Sequence, residues 1–257
     1  IQQGRRLAIF LEEARKRLPQ PFDQEQLQTF TKEDLHLLDP LYISFEDQFR
    51  GTRQEIKDRL KFYLPLVREA QAGLENRLIL DVGCGRGEWL ELLEEEGLTA
   101  RGLDLNRVLV EKCLERGMDV VEADVIEYLP TLPDASLGAL TGFHLVEHLP
   151  FKALVSLLDE TLRVLKTGGI AIFETPNPQN ILVGASNFYV DPTHLRPLHP
   201  DMMRFLVESR GFSQVEIHPL HPFGKEHRLV EDHSVISRKF NELFYGPQDY
   251  AVTGVKA

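Results

Sequence analysis

Three side chains able to do chemistry stand close together in the sequence: His144, Glu147 and His148, in the run G-F-H-L-V-E-H-L-P. Positions i, i+3 and i+4 share one face if the segment is helical, which would gather two imidazoles and a carboxylate. Imidazole titrates near neutrality, so either ring is a candidate general base. H-x-x-E-H also has metal-ligand spacing, and a divalent ion there would polarise a hydroxyl as a Lewis acid. A third reading has the histidines capping or packing. His194 ends the run D-P-T-H, where Asp191 is placed to orient its ring, although a bond to backbone is an equal alternative. His218, His221, His227 and His233 are irregularly spaced among prolines and charges, and read as a polar surface hairpin or lid.

The elements that position these groups begin with Leu78-Ile79-Leu80, a short apolar run that reads as a buried parallel strand. It ends in Asp81, followed by Gly83, Gly85 and Gly87 and then a helix over Glu88 to Glu95. Strand, glycine-rich turn and helix build a ligand crevice at the carboxyl edge of an open α/β sheet. The spacing G-x-G-x-G is not the dinucleotide fingerprint, and Glu88 would sit badly beside a pyrophosphate at a helix N-terminus. No Gly-Lys-Ser/Thr closes a phosphate loop. Ala100 to Leu103 reads as a second strand ending in Asp104, an acid positioned to accept the ribose hydroxyls of an adenosine. Met118 to Glu122 is a third strand, with Asp124 after it as a helix N-cap or ligand group. Leu137 to Thr141 is a fourth, and the residues leaving it, Phe143 and His144 among them, should line the pocket. Ile170 to Glu174, Phe212 to His218 and Tyr250 to Lys256 complete seven strands. A long polar-aromatic loop, Asn187 to His194, interrupts them and reads as functional. Thr52 with Glu55 forms a capping box ahead of a helix over Arg53 to Val67.

The chain has 257 residues, enough for one large domain or a domain with an extension. A net charge of −11 argues against a general nucleic-acid binder, which would show a basic face. Two cysteines, Cys84 and Cys113, give no disulfide framework and suit a reducing, cytoplasmic setting. No apolar run approaches the roughly 20 residues of a membrane span. Residues 1–18 read as an amphipathic helix with Leu7, Leu11, Ala14 and Leu18 on one stripe, either packed on its own domain or ending a coiled coil through which the chain self-associates. The start at Ile1 suggests a piece of a longer polypeptide with additional domains. The expected division is an extension over 1–40 and a main domain over 41–257.

D-V-G-C-G-R-G resembles motif I of the class I methyltransferases that use S-adenosylmethionine (SAM). The resemblance implies a Rossmann-like α/β domain, a seven-stranded and mostly parallel sheet with one antiparallel strand, helices on both faces and an N-terminal helical extension. It implies SAM contacts from Asp81, Gly83, Cys84, Gly85 and Gly87, and from Asp104 with Leu105. Asp124 and the Val125 backbone would take the adenine, Phe143 would adjoin the donor, and Arg53 or Arg50 would reach the SAM carboxylate. The product would be S-adenosylhomocysteine. The H-x-x-E-H run resembles the motif of metal-dependent quinone O-methyltransferases, which implies a divalent ion on His144, Glu147 and His148. F-E-D-Q-F-R-G-T-R, F-E-T-P-N-P-Q-N and F-Y-V-D-P-T-H-L-R-P together look like a bacterial methyltransferase family of cell-surface, O-antigen-type polysaccharide assembly. That likeness implies a glycan or lipid-linked glycan acceptor, methylated at a terminal sugar hydroxyl with His194 or His148 as base. A small aromatic or quinone-type acceptor is the alternative, and a non-catalytic SAM-binding module a further one.

Overall fold

The computed structural model describes residues 36–228 and 234–257; the helix expected over 1–18 and His233 lie outside the described residues. The chain divides into two compact units, Ile1–Pro40 and Leu41–Ala257. Of the first, only a turn at 36–38 and the start of helix α1 (Asp39–Phe49) are described.

The second unit is built on one seven-stranded sheet. In chain order its strands are β1 (Leu78–Val82), β2 (Ala100–Asp104), β3 (Val120–Glu122), β4 (Leu137–Phe143), β5 (Leu165–Pro176), β6 (Ser213–Pro222) and β7 (Pro247–Val255). Their spatial order is β3-β2-β1-β4-β5-β7-β6. The first five run parallel, and β7 is inserted antiparallel between β5 and β6. This is the architecture expected from the sequence.

Side chains alternate between the two faces of the sheet. On β1, Leu80 and Val82 enter one core while Ile79 enters the other; on β5, Ala171 and Phe173 oppose Ile170 and Ile172 in the same way. The first face is covered by Leu154, Leu157 and Leu158 of one helix and Met203 and Val207 of another; the second by Tyr63, Val67, Trp89 and Leu93. Apolar runs such as L-G-A-L-T-G-F form strands because both faces of this sheet are buried.

The expected helix over Arg53 to Val67 is broken into α2 (Arg53–Leu60), a 3-10 turn (Lys61–Tyr63) and α3 (Leu64–Glu69), because Pro65 withholds an N–H from the ladder and restarts the helix at its first turn. The Thr52–Glu55 capping box is present. The helix α4 (Glu88–Glu95) has its expected bounds. β5 starts earlier than Ile170, since the chain leaves the preceding helix at Val164 directly into Leu165 and carries an irregularity through Gly168 and Gly169.

Candidate active site at the carboxyl edge

β1 delivers Asp81 and the glycine turn. Gly83, Gly85 and Gly87 all have positive φ, at 71°, 52° and 77°. A Cβ on Gly87 would meet Met118 Sδ at 2.6 Å, so this position requires glycine both for its backbone and for its packing. Asp81 is buried and accepts a 2.7 Å hydrogen bond from Thr141 Oγ1; burial pushes its carboxyl up to about 7. β2 delivers Asp104, which ties the turn down. The Gly85 N–H donates to its Oδ2 and the Asn106 N–H to its Oδ1, both at 2.8 Å, leaving further lone pairs for a ligand. Burial raises the Asp104 carboxyl, and its backbone partners counteract that.

Leu105, beside it, is 58% exposed, an apolar surface next to an acid, as a nucleoside site needs. Asp124 caps the short helix Val125–Tyr128 through a 2.6 Å bond from the Ile126 N–H, and Val125 is buried beneath it. Cys84 is buried and packs against Gly102, so its side chain belongs to the core, and its N–H and carbonyl bond Leu103 and Gly87. Phe143 ends β4 in an aromatic cluster with Tyr63 and Trp89, at ring separations of 5.0 and 5.7 Å.

The two arginine candidates separate. Arg53 donates to the Arg86 carbonyl and to Glu91 and lies 3.6 Å from Glu88, so its guanidinium is engaged at the first turn of α4 and away from the cavity. Arg50 faces the cavity, paired with Glu46 at 2.9 Å, and its Nη1 lies 3.5 Å from the position of a Cβ on Gly85. Of the two, Arg50 is the one that lines the cavity, while Arg53 braces the glycine turn through the Arg86 carbonyl.

Beyond Phe143 opens a cavity of about 420 Å³. Tyr42, Phe45 and Phe49 of α1 form one wall; His144, His148, His194, Glu174, Asp191 and Asp249 bring polar groups to it. The helical face expected for H-x-x-E-H is not formed. His144 has a left-handed backbone, φ 55°, and only Val146–His148 form a single 3-10 turn. The three residues consequently divide. Among the described residues two sets of ligand-type atoms converge to within 4.8 Å: Glu147 with His148 and His194, and His144 with Glu174 and Asp249.

His144 is a poor base. Burial works to lower it, but the Glu147 and Glu174 carboxylates outweigh burial and push it up to about 10, so in the absence of another cation it is already protonated at neutral pH. His148 is lowered by burial, with His194 adding to the effect, and its Nδ1 lies 2.9 Å from the Thr193 hydroxyl. His194 donates from Nδ1 to the Phe188 carbonyl at 2.6 Å, because a carbonyl can only accept. That fixes the tautomer and leaves the Nε2 lone pair free, 3.9 Å from Glu147 and 4.0 Å from Asp191. The loop is held in turn by Asp191, which accepts from the Thr193 N–H and hydroxyl and from Tyr42.

Sequence reasoning missed Glu174, Asp249 and His221. Glu174 is 4% exposed at the end of an apolar strand, I-A-I-F-E-T, and a lone carboxylate in such a run was the available signal. Asp249 and His221 arrive through the β6–β7 pairing, which opposes Leu220 to Asp249, and nothing local in the sequence announces it.

A methyltransferase-domain family model matches residues 49–217. A crystal structure of a SAM-dependent methyltransferase from Archaeoglobus fulgidus is 36% identical, with a TM-score of 0.76, covering 84% of this chain and 99% of that one. A protein of Mycolicibacterium smegmatis named as a "probable S-adenosylmethionine-dependent methyltransferase" is 32% identical over 138 residues, 53% of this chain and 52% of its own length. A ubiquinone biosynthesis O-methyltransferase of Alkalilimnicola ehrlichii is 30% identical over 133 residues, 50% of this chain and 53% of its own length. The chain thus spans about half the length of these curated relatives.

Proposed function

The chain belongs to the family of SAM-dependent methyltransferase domains, and from that premise we propose that it methylates a hydroxyl of an acceptor held in the cavity below α1, with His194 as general base. The donor residues fit SAM. The cation of the glycine turn, Arg86, is engaged by Asp47 and Glu88, Asp104 retains lone pairs for ribose hydroxyls, and Leu105 offers an apolar surface for a base. Bound SAM supplies an activated methyl group on a sulfonium. An alcohol still needs somewhere to send its proton. The observation that carries the proposal is the fixed His194 tautomer: Nδ1–H is anchored on a carbonyl, and the Nε2 lone pair is left free on a ring that lines the cavity. The acceptor oxygen forms its bond to the methyl carbon as the carbon–sulfur bond breaks, and the proton passes to Nε2. The Glu147 and Asp191 carboxylates lie beside the imidazolium that results.

For the acceptor, a small aromatic or quinone-type hydroxyl is the favoured reading. It is supported by the aromatic wall of Tyr42, Phe45 and Phe49 opposite polar groups, and by relatives that carry ubiquinone O-methyltransferase names. The glycan acceptor expected from the sequence has no counterpart among those names. It stands second, because Val190, Asp191 and His194, from the run that suggested it, line the same cavity.

Incubation with methyl-labelled SAM and two acceptor panels, catechol-type rings and short glycans, tests both readings by product mass. Methylated catechol alone supports the first and methylated glycan alone the second. Intact SAM binding without product on either panel would overturn the acceptor assignment and leave the donor site standing.

A further inference from the structure

The geometry points to a divalent-cation site formed by His144 Nε2, Glu174 Oε1 and Asp249 Oδ1 at the floor of the cavity, separate from the H-x-x-E-H grouping read in the sequence. His144 Nε2 lies 3.4 Å from Glu174 Oε1 and 4.0 Å from Asp249 Oδ1. These separations are long for hydrogen bonds. They match the roughly 3–4 Å between neighbouring donors around one ion with bonds of about 2.1 Å.

Each ligand is braced from behind, as metal ligands are. The other nitrogen of His144, Nδ1, faces Glu147 Oε1 at 3.3 Å, the arrangement in which a carboxylate orients a metal-binding imidazole. The Tyr63 hydroxyl donates to Glu174 Oε2, leaving Oε1 for the site. His221 Nδ1 holds Asp249 Oδ2 at 3.0 Å, leaving Oδ1. The His144 N–H donates to the Glu174 carbonyl, and the strained left-handed backbone of His144 turns its ring toward the carboxylates.

A separate observation calls for positive charge here. Glu147 is fully buried, and its Oε1 faces His144 Nδ1 at 3.3 Å. Glu147, Glu174 and Asp249 bring three carboxylates together, and among the described residues their ion-pair partners are histidines only. A buried carboxylate cluster needs a compensating cation. A divalent ion bound by His144 Nε2 and the two facing carboxylate oxygens supplies it. The three ligands all line the cavity, so the remaining coordination positions open toward it. Two carboxylate oxygens and one imidazole suit a Mn²⁺-like ion, with Mg²⁺ as competitor.

The test is Mn²⁺ titration of the chelator-stripped full chain, with free Mn²⁺ read by electron paramagnetic resonance and bound Mn²⁺ by pulsed measurement of ¹⁴N coupling. We expect one Mn²⁺ per chain, coupled to one imidazole nitrogen. Asp249→Asn should weaken it by roughly 10- to 100-fold with SAM affinity and circular dichroism unchanged, and His221→Gln by about 10-fold. His148→Ala should leave it within a few-fold. Absence of binding would overturn the proposal. So would coupling to two imidazoles, or loss with His148→Ala but not with Asp249→Asn, because either result assigns the ion to Glu147, His148 and His194. None of these readouts depends on turnover, so failure of the acceptor reading leaves the test intact.

Discussion

Single side chains in this site do separable jobs. Asp104 holds the glycine turn through Gly85, and in the proposed donor site it also takes the ribose. Asp104→Ala should weaken SAM binding by roughly 10- to 100-fold, the worth of hydrogen bonds to a charged group, as read by calorimetry. In the proposed reaction His194 takes the proton of the other substrate. His194→Gln should lower kcat by roughly 10²- to 10⁴-fold with the Kd for SAM unchanged, in single-turnover kinetics. Asp81 writes a pH signature into stability. Its folded carboxyl sits at about 7, above its unfolded value, so the native state holds the extra proton between about pH 4 and 7. Stability should therefore fall as pH rises through that window, by at most about 4 kcal/mol from this group. Asp81→Asn should flatten the profile, as measured by denaturant unfolding from pH 5 to 8.

At the scale of elements, the unit of function is the strand, turn and helix from β1 to α4. Gly87 closes the turn as the N-cap of α4 in a left-handed conformation, with Met118 and Cys113 against it. Gly87→Ala must strain the backbone and displace those sulfurs, at a cost of about 2–5 kcal/mol together. Thermal unfolding should show a clear loss of Tm, with SAM affinity falling in parallel. This unit was legible from sequence almost residue by residue, because an apolar run, alternate glycines and an acid-rich helix start are all local signals. The segment from His144 to His148 was not. Its spacing suggested a helix, but His144 has a left-handed backbone and its ring lies between Glu147 on one side and Glu174 and Asp249 on the other, while Glu147 and His148 converge with His194. A non-glycine residue with positive φ leaves no mark in composition or periodicity. Resemblance alone offered Arg53 or Arg50 for the SAM carboxylate and could not choose between them, because the Glu88 and Glu91 that engage Arg53 lie on a helix further along the chain.

Across the whole molecule, the β6–β7 pair distinguishes the acceptor half from the donor half. Tyr250 of β7 donates to the Leu198 carbonyl at 2.9 Å and so fastens the sheet to the loop that carries His194. Tyr250→Phe would leave that carbonyl unpaired. It should cost about 1–3 kcal/mol of stability and raise the acceptor KM more than it changes the Kd for SAM, which steady-state kinetics and calorimetry would separate. The number of strands followed from the sequence pattern and their mostly parallel arrangement from the family resemblance, whereas the convergence of Glu174, His221 and Asp249 depended on a register between distant strands. That register has a consequence during synthesis. Among the strands β7 is made last, yet it lies in the interior of the sheet, between two that precede it. Until it emerges, β5 and β6 each present an open edge to the crowded surroundings of a ribosome, for on the order of ten seconds at about 5–20 residues per second. The donor half can form while the chain is still growing. The acceptor half waits for the final strand, so a nascent chain could hold SAM well before it has anywhere to put a methyl group.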